Sequence, residues 1–269
     1  MDPDQVRGDE KGVLLRGGLS KGSGKALGRE SGSWTVVSAE KTKIGRALVG
    51  SDNAILVTED EARAWIGDAF SPTADQWARL DRFAQMLVAE NAQQNLIAAS
   101  TIPTIWVRHI ADSAQLLSFD VREGEGLWVD LGSGPGLPGL VVAILSARPM
   151  LLVESRKRRC DFLRAVADEL GLGHVEVAEA PLERVETRRA ATISARAFAP
   201  LDKLIDLSAR FSTESTHWLL PKGRNAVKEL ALLPEPWQRM FHVEQSRTDA
   251  ESQILVGSGK IAAKQRGKR

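Results

Sequence analysis

The chain has 269 residues, 26% of them charged, and a formal net charge of +1, so no overall electrostatic field marks it for a nucleic acid or a membrane surface. A single cysteine, Cys160, excludes a disulfide framework and a cysteine-cluster metal site, and fits a reducing, cytoplasmic compartment. The four histidines lack paired ligand spacing, and the longest apolar run, 140–145, is far too short to cross a bilayer, so neither a metal nor a membrane partner is expected.

Residues 1–56 hold 10 of the 23 glycines and one aromatic, Trp34. This composition predicts a disordered extension, either a plain tail or a basic arm that touches RNA. Order is predicted from Thr58, where Thr58 and Glu61 form a capping box for a helix to about Phe70. Ser71 as N-cap and Pro72 at the first helical position predict a second helix, with Trp77, Leu80, Ala84 and Leu87 on one face. Pro103 is expected to open a third, with Trp106, Ile110, Ser113 and Leu117 aligned. Residues 57–120 therefore read as a helical cap. From Leu127 short apolar runs take over, at 127–131, 150–154, 174–178, 191–195 and 217–220. Helical stretches at 156–170 and 201–210 alternate with them. Two late strands at 240–244 and 253–257, joined by a short polar loop, suggest an antiparallel pair. The alternation predicts an α/β domain over 121–259, built on a parallel sheet covered on both faces. The tail 260–269 carries five basic residues and no acid, and is either solvated or laid against RNA phosphates.

The chemical signal is the turn after the first strand, Asp130-Leu131-Gly132-Ser133-Gly134-Pro135-Gly136-Leu137-Pro138-Gly139. Four glycines and two prolines in residues 132–139 exceed what a tight turn needs. The carboxyl end of a strand in an open parallel sheet is where ligands bind, and glycine lets backbone pass close beneath them. Two registers fit. Gly134, Gly136 and Gly139 match the dinucleotide pattern G-x-G-x-x-G, with Glu154 twenty residues after Gly134 as a ribose acceptor. Alternatively Asp130 ends the strand ahead of Gly132, Gly134 and Gly136, and an acid there suits a cationic ligand such as S-adenosylmethionine. Glu154 would then accept from both ribose hydroxyls.

Beyond this turn, the blocks at 155–172, 194–201, 219–223 and 108–113 recur in one family, and over about 58–257 the sequence resembles the RsmG (GidB) methyltransferases. Members methylate N7 of one guanine in small-subunit (16S) ribosomal RNA with S-adenosylmethionine. The resemblance implies a class I S-adenosylmethionine-dependent methyltransferase fold: a Rossmann-like, seven-stranded sheet whose last strand is antiparallel, with an N-terminal helical cap. It places Gly132 and Leu137 in the cofactor pocket, Leu182 and Glu183 at its adenine end, and Arg196 at the cofactor or the target. Relatives usually carry Ser-Arg before the adenine contact, where this chain has Ala180-Pro181. The proline removes a donor.

The implied reaction is an in-line displacement by a nitrogen with a free lone pair. It needs alignment rather than a general base, so no catalytic acid or base is assigned. Five residues are candidates for positioning the substrate. Arg196 reads as a clamp on the cofactor carboxylate, a donor to guanine O6 or a phosphate, or one side of a surface ion pair. Phe198 reads as a stacking platform or a core residue. His109 and Asp112, i and i+3 on one helix, read as a mutual pair or as groups near the guanine, and Lys222 as a phosphate contact. The run Arg156, Lys157, Arg158, Arg159 sits at a helix start, where the dipole disfavours it. Such placement reads as a contact for an anionic partner or as a solvated face. Cys160, inside a helix, reads as a packing residue and not as the nucleophile that cytosine C5 methylation requires. The rivals are an NAD(P)-dependent oxidoreductase using the overlapping glycine register and a non-catalytic ribosome-assembly module that binds RNA. The expected partner is 16S rRNA or the small subunit, with a monomer favoured.

Overall fold

A computed structural model of the chain describes residues 54–121 and 125–262. Of the extension expected at 1–56 only 54–56 are described, and of the tail expected at 260–269 only 260–262, where Ile261 is buried.

Helix α1 (Glu59–Phe70) begins as its sequence dictates. Thr58 Oγ1 accepts from Glu61 N at 3.1 Å, and the Glu61 carboxylate accepts from Thr58 N at 3.0 Å. The start of α2 (Ala74–Gln94) corrects the expectation. Thr73, not Ser71, is its N-cap, in a second capping box with Gln76. Ser71 instead ends α1 in the left-handed region at φ 46°, donating its amide to Gly67 O. Pro103 does not open a long helix either. It sits inside a 3-10 turn, Ala99–Thr104. A π-helix follows over Trp106–Ala111 and runs into α3 (Asp112–Ala114) and a second 3-10 turn, Gln115–Phe119. A π-turn re-aims side chains relative to an α-helix and is frequent at functional sites. This one carries His109 and leads directly to Asp112.

The sheet has seven strands: β1 (Trp128–Leu131), β2 (Met150–Glu154), β3 (Val175–Glu179), β4 (Thr192–Ala195), β5 (His217–Lys222), β6 (Phe241–Gln245) and β7 (Gln253–Ser258). Their order is β3-β2-β1-β4-β5-β7-β6. The first five in sequence run parallel, and β7 is antiparallel to both β5 and β6. Helices α4 (Gly139–Leu145), α5 (Lys157–Glu169) and α6 (Leu201–Ser208) connect the parallel strands, while α7 (Ala226–Ala231) and α8 (Glu235–Gln238) lie between β5 and β6. This is the expected class I arrangement. Strand order reverses between β1 and β4, so the carboxyl ends of those two strands open the crevice in which such sheets bind ligands.

Side-chain alternation along β1 and β2 divides the core. Trp128, Met150 and Leu152 face a layer made by α4, α5 and cap residues Ile66, Leu80 and Leu87. Val129, Leu131, Leu151 and Val153 face α6, with Phe211 and Trp237. The cap thus shares one core with α4 and α5. Beneath β1, Arg148 is fully buried. It pairs with Asp120, donates to Thr192 Oγ1 at 3.0 Å and to Glu125 O at 2.8 Å, and lies 5.1 Å from the Trp128 ring. A buried guanidinium is tolerable only when paired in this way. Among the described residues no helix is long and apolar enough to cross a membrane.

Candidate active site

The glycine turn is a folded object before it is a binding one. Gly132, Gly134 and Gly136 adopt φ of 68°, 54° and 89°, a region that side chains other than glycine rarely enter. A Cβ on Gly136 would overlap Leu140, and one on Gly132 would overlap the Phe198 ring. Two of these glycines therefore permit close packing as well as a turn. Of the three, Gly132 borders a cavity of about 380 Å³ shared with Glu154, Leu182, Glu183 and Phe198. These four expected cofactor residues (Gly132, Glu154, Leu182 and Glu183) come together from the carboxyl ends of three strands. Gly134, Gly136 and Leu137 border neither this cavity nor its larger neighbour.

Asp130 departs from the expectation that it faces a cationic ligand. Its side chain is fully buried below the turn, because on this doubly covered strand it points the same way as Trp128. Trp128 Nε1 donates to Ser194 Oγ at 2.8 Å, and the Ser194 hydroxyl donates to Asp130 Oδ1 at 2.6 Å. Burial pushes the Asp130 pKa above the usual carboxylate range, opposed by hydrogen bonds from Ser194 and Ser133. Oδ1 thus links β1 to β4 through Ser194 under the loop, while Oδ2 is buried without a hydrogen-bond partner.

Glu154 ends β2 with its carboxylate turned back on the chain. Oε1 accepts from the amides of Ser155 (2.7 Å) and Arg156 (2.9 Å), and Oε2 from Gly134 (3.1 Å). The Arg159 guanidinium stands 3.7 Å from Oε2. Three amides leave about one of the roughly four acceptor positions of a carboxylate open. Glu154 thus braces the glycine turn while bordering the cavity. The basic run on α5 is partly spent internally: Arg159 faces Glu154, Lys157 pairs with Asp161 at 3.0 Å, and Arg158 reaches Gln93 O at 3.4 Å. Cys160 is buried, its thiol donating to Glu154 O at 3.2 Å, and burial pushes its pKa up to about 11. It is a packing residue.

A larger cavity of about 710 Å³ lies on the other side of the segment Ala197-Phe198-Ala199, which borders both. Ala197 holds a left-handed φ of 52°, and the half-buried Phe198 ring rests on Gly132. His109, Asp112, Arg196 and Lys222 all border this larger space. His109 and Asp112 do not pair. Thr101 gives its hydroxyl proton to Ala98 O (2.7 Å), so His109 Nε2 is the donor to Thr101 Oγ1 at 2.7 Å. The lone pair then sits on Nδ1, which is buried and without a hydrogen-bond partner. Burial, then the nearby Arg196 charge, lowers the His109 pKa to about 4, so the ring is neutral at physiological pH. Asp112 pairs instead with Arg196 at 3.0 Å.

Lys222 is not presented to solvent. Its ammonium meets Glu229 at 2.9 Å and Ala199 O at 3.4 Å, and the same Glu229 oxygen accepts from Leu201 N at 3.1 Å. Lys222 therefore straps Ala199 and, through Glu229, Leu201, while still bordering the larger cavity. Arg108 pairs with Asp249 at 2.9 Å. The three cations of this cavity, Arg108, Arg196 and Lys222, each have a carboxylate partner. Such a lining offers donors and acceptors without a net field, which suits a neutral heteroaromatic ring better than a bare phosphate. Sequence reasoning missed Gln115 and Thr248, which donate to Asp112, and Ser246, which bonds to both of them; all three are buried. Among the described residues no cluster of His, Cys, Asp and Glu could hold a metal ion.

Comparison with known proteins agrees with this architecture. The family profile described as GidB, rRNA small subunit methyltransferase G, matches residues 76–254. Ribosomal RNA small subunit methyltransferase G of Sphingopyxis alaskensis is 81% identical over 214 residues, covering 80% of this chain and 92% of that protein. The protein of that name from Novosphingobium aromaticivorans is 53% identical over 205 residues, covering 75% and 89%. The chain belongs to the rRNA small subunit methyltransferase G (GidB) family.

Proposed function

We propose that this protein transfers the methyl group of S-adenosylmethionine to N7 of a guanine in small-subunit ribosomal RNA. The observation that carries the reading is the pair of cavities at the carboxyl ends of β1, β2 and β4, divided only by Ala197-Phe198-Ala199. One is framed by the glycine turn and an acid at the end of β2. The other is framed by the cap and holds paired charges.

The smaller cavity fits the cofactor. Gly132 keeps its floor clear of a Cβ, Glu154 presents an acceptor to a ribose, and Leu182 and Glu183 close the adenine side. Glu154 would serve a ribose in either glycine register, so what counts against the oxidoreductase reading is the family match over residues 76–254. When bound, the cofactor supplies an electrophilic methyl group on sulfur. The chain's own task is to hold the base in the larger cavity, edge towards Phe198, and to exclude water from the path. Such alignment alone can contribute roughly 7–11 kcal/mol to a displacement. Neutral His109 and the Arg196–Asp112 pair supply the polar contacts of that wall. In domain terms, 57–120 acts as the cap over a catalytic unit at 121–259.

The test is to incubate the protein with tritiated S-adenosylmethionine and deproteinised small-subunit rRNA, then digest to nucleosides. The reading requires the label in 7-methylguanosine. Label in another nucleoside, or none with either rRNA or intact small subunits, overturns it.

A further inference from the structure

The Asp112 carboxylate is gripped from several elements at once. Oδ2 accepts from Arg196 Nη1 at 3.0 Å. Oδ1 accepts from Gln115 Nε2 at 3.0 Å and from the Thr248 hydroxyl at 2.7 Å. Proton accounting fixes the direction of the chain. A carboxylate only accepts, so Thr248 donates to it, and the Thr248 oxygen then accepts from the Ser246 hydroxyl 3.1 Å away. Gln115, Ser246 and Thr248 are 1%, 2% and 4% exposed, so water does not compete for these bonds. The loop that carries Thr248 is itself pinned by the cap. Arg247 O accepts from Leu56 N at 2.7 Å, Arg247 N donates to Gln115 Oε1 at 2.9 Å, and Arg108 pairs with Asp249.

A surface ion pair leaves its guanidinium free to turn. Arg196 is different, because its partner is held by two further hydrogen bonds from buried side chains. With one Nη committed to that oxygen, the range of directions open to the remaining donors along the wall of the larger cavity is narrowed. We propose that Thr248 is a positioning residue for the methyl-transfer reaction, acting through Asp112 to fix the orientation of Arg196. The proposal rests on the reading that this cavity takes the acceptor base. Thr248 itself touches neither substrate nor cofactor.

A double-mutant cycle separates this role from simple fastening of the cap to the β6–β7 loop. Thr248→Val removes the hydroxyl and Thr248→Ser keeps it. Each is made in the wild-type and Arg196→Lys backgrounds, and initial rates of tritium transfer into small-subunit rRNA are compared. Thr248→Val is expected to slow transfer by roughly tenfold or more, since small misplacements remote from the reacting atoms reach that size. Thr248→Ser should restore the rate. In the Arg196→Lys background Thr248→Val should cost nothing further, because the group it positions is gone. Equal fold-losses in both backgrounds, or a Thr248→Val enzyme as fast as wild type, overturn the proposal. If Thr248→Val does not fold, as judged by circular dichroism, Gln115→Leu removes a donor from the same oxygen and is read by the same cycle. Wild-type protein that transfers no label in this assay refutes the function reading and this role together, whereas an active wild type with an additive cycle refutes this role alone.

Discussion

Gly132→Ala probes the turn at the point where fold and site meet. Gly132 has φ 68°, so any L-residue there carries a left-handed cost of about 1–2 kcal/mol. The added Cβ would also overlap Phe198 Cδ2 and lie 3.2 Å from its Cγ. Relieving that overlap means moving a ring wedged between two cavities, at a further 1–3 kcal/mol or so, the usual range for overpacking. The sum is roughly 2–5 kcal/mol. Gly171 supplies the control: its φ is 62°, and nothing lies within 4 Å of a Cβ placed on it. Gly171→Ala should show the backbone cost alone, about 1–2 kcal/mol. Urea unfolding of both variants isolates the Phe198 contact as their difference, expected near 1–3 kcal/mol. Titration with S-adenosylhomocysteine should show weaker binding for Gly132→Ala by about tenfold or more, which corresponds to about 1.4 kcal/mol, and no change for Gly171→Ala. Equal destabilisation by the two variants, with affinity intact, would refute the reasoning.

Four further outcomes follow from the buried groups. Ser194→Ala strands both Trp128 Nε1 and Asp130 Oδ1, and should lower stability by roughly 2–5 kcal/mol in urea unfolding. Asp120→Ala leaves Arg148 buried without its carboxylate and should cost about 3–5 kcal/mol by the same measurement. The Asp130 pKa is raised in the folded state, so the unfolded chain releases this proton first. Its contribution is full below the ordinary carboxylate range and is lost as pH rises towards the raised native value, a slope that Asp130→Asn should abolish in pH-dependent melts. His109 has the opposite sign: with a native pKa of about 4 against 6.5, its contribution is full above the upper value and is lost as pH falls towards the lower. The loss reaches roughly 3 kcal/mol, and His109→Gln should remove it from the acid limb.

The strands were legible because each is a short apolar run with clear punctuation, and β2 matches its predicted bounds residue for residue. Caps were legible where the whole motif was read. Thr58 with Glu61 is one such case, and Thr73 with Gln76 carries the same spacing, whereas Ser71 has Ala74 at the third position and cannot form a box. An acid at a strand end looks like an exposed ligand contact, but Asp130 is fully buried. Alternation along a strand buried on both faces puts it inside with Trp128, and that signal was available in the sequence. The cofactor-side set Gly132, Glu154, Leu182 and Glu183 was legible from motif and family resemblance, since all four lie at or just beyond the carboxyl ends of β1, β2 and β3. The groups around Asp112 were not. Thr248 lies 136 residues away in sequence, and only the folding of the cap against the β6–β7 loop joins them. The strap from Lys222 to Glu229 is invisible for a related reason: it spans a turn and the start of α7, with no helical spacing to announce it.

The central claim is methyl transfer to guanine N7, and chemical cleavage reads that position directly. Small-subunit rRNA treated with the protein and S-adenosylmethionine is reduced with borohydride, cleaved with aniline and mapped by primer extension. The account predicts one new stop, absent when the cofactor is omitted. Methyl incorporation without any aniline-sensitive site would contradict it, because the group would then have gone to an atom other than N7.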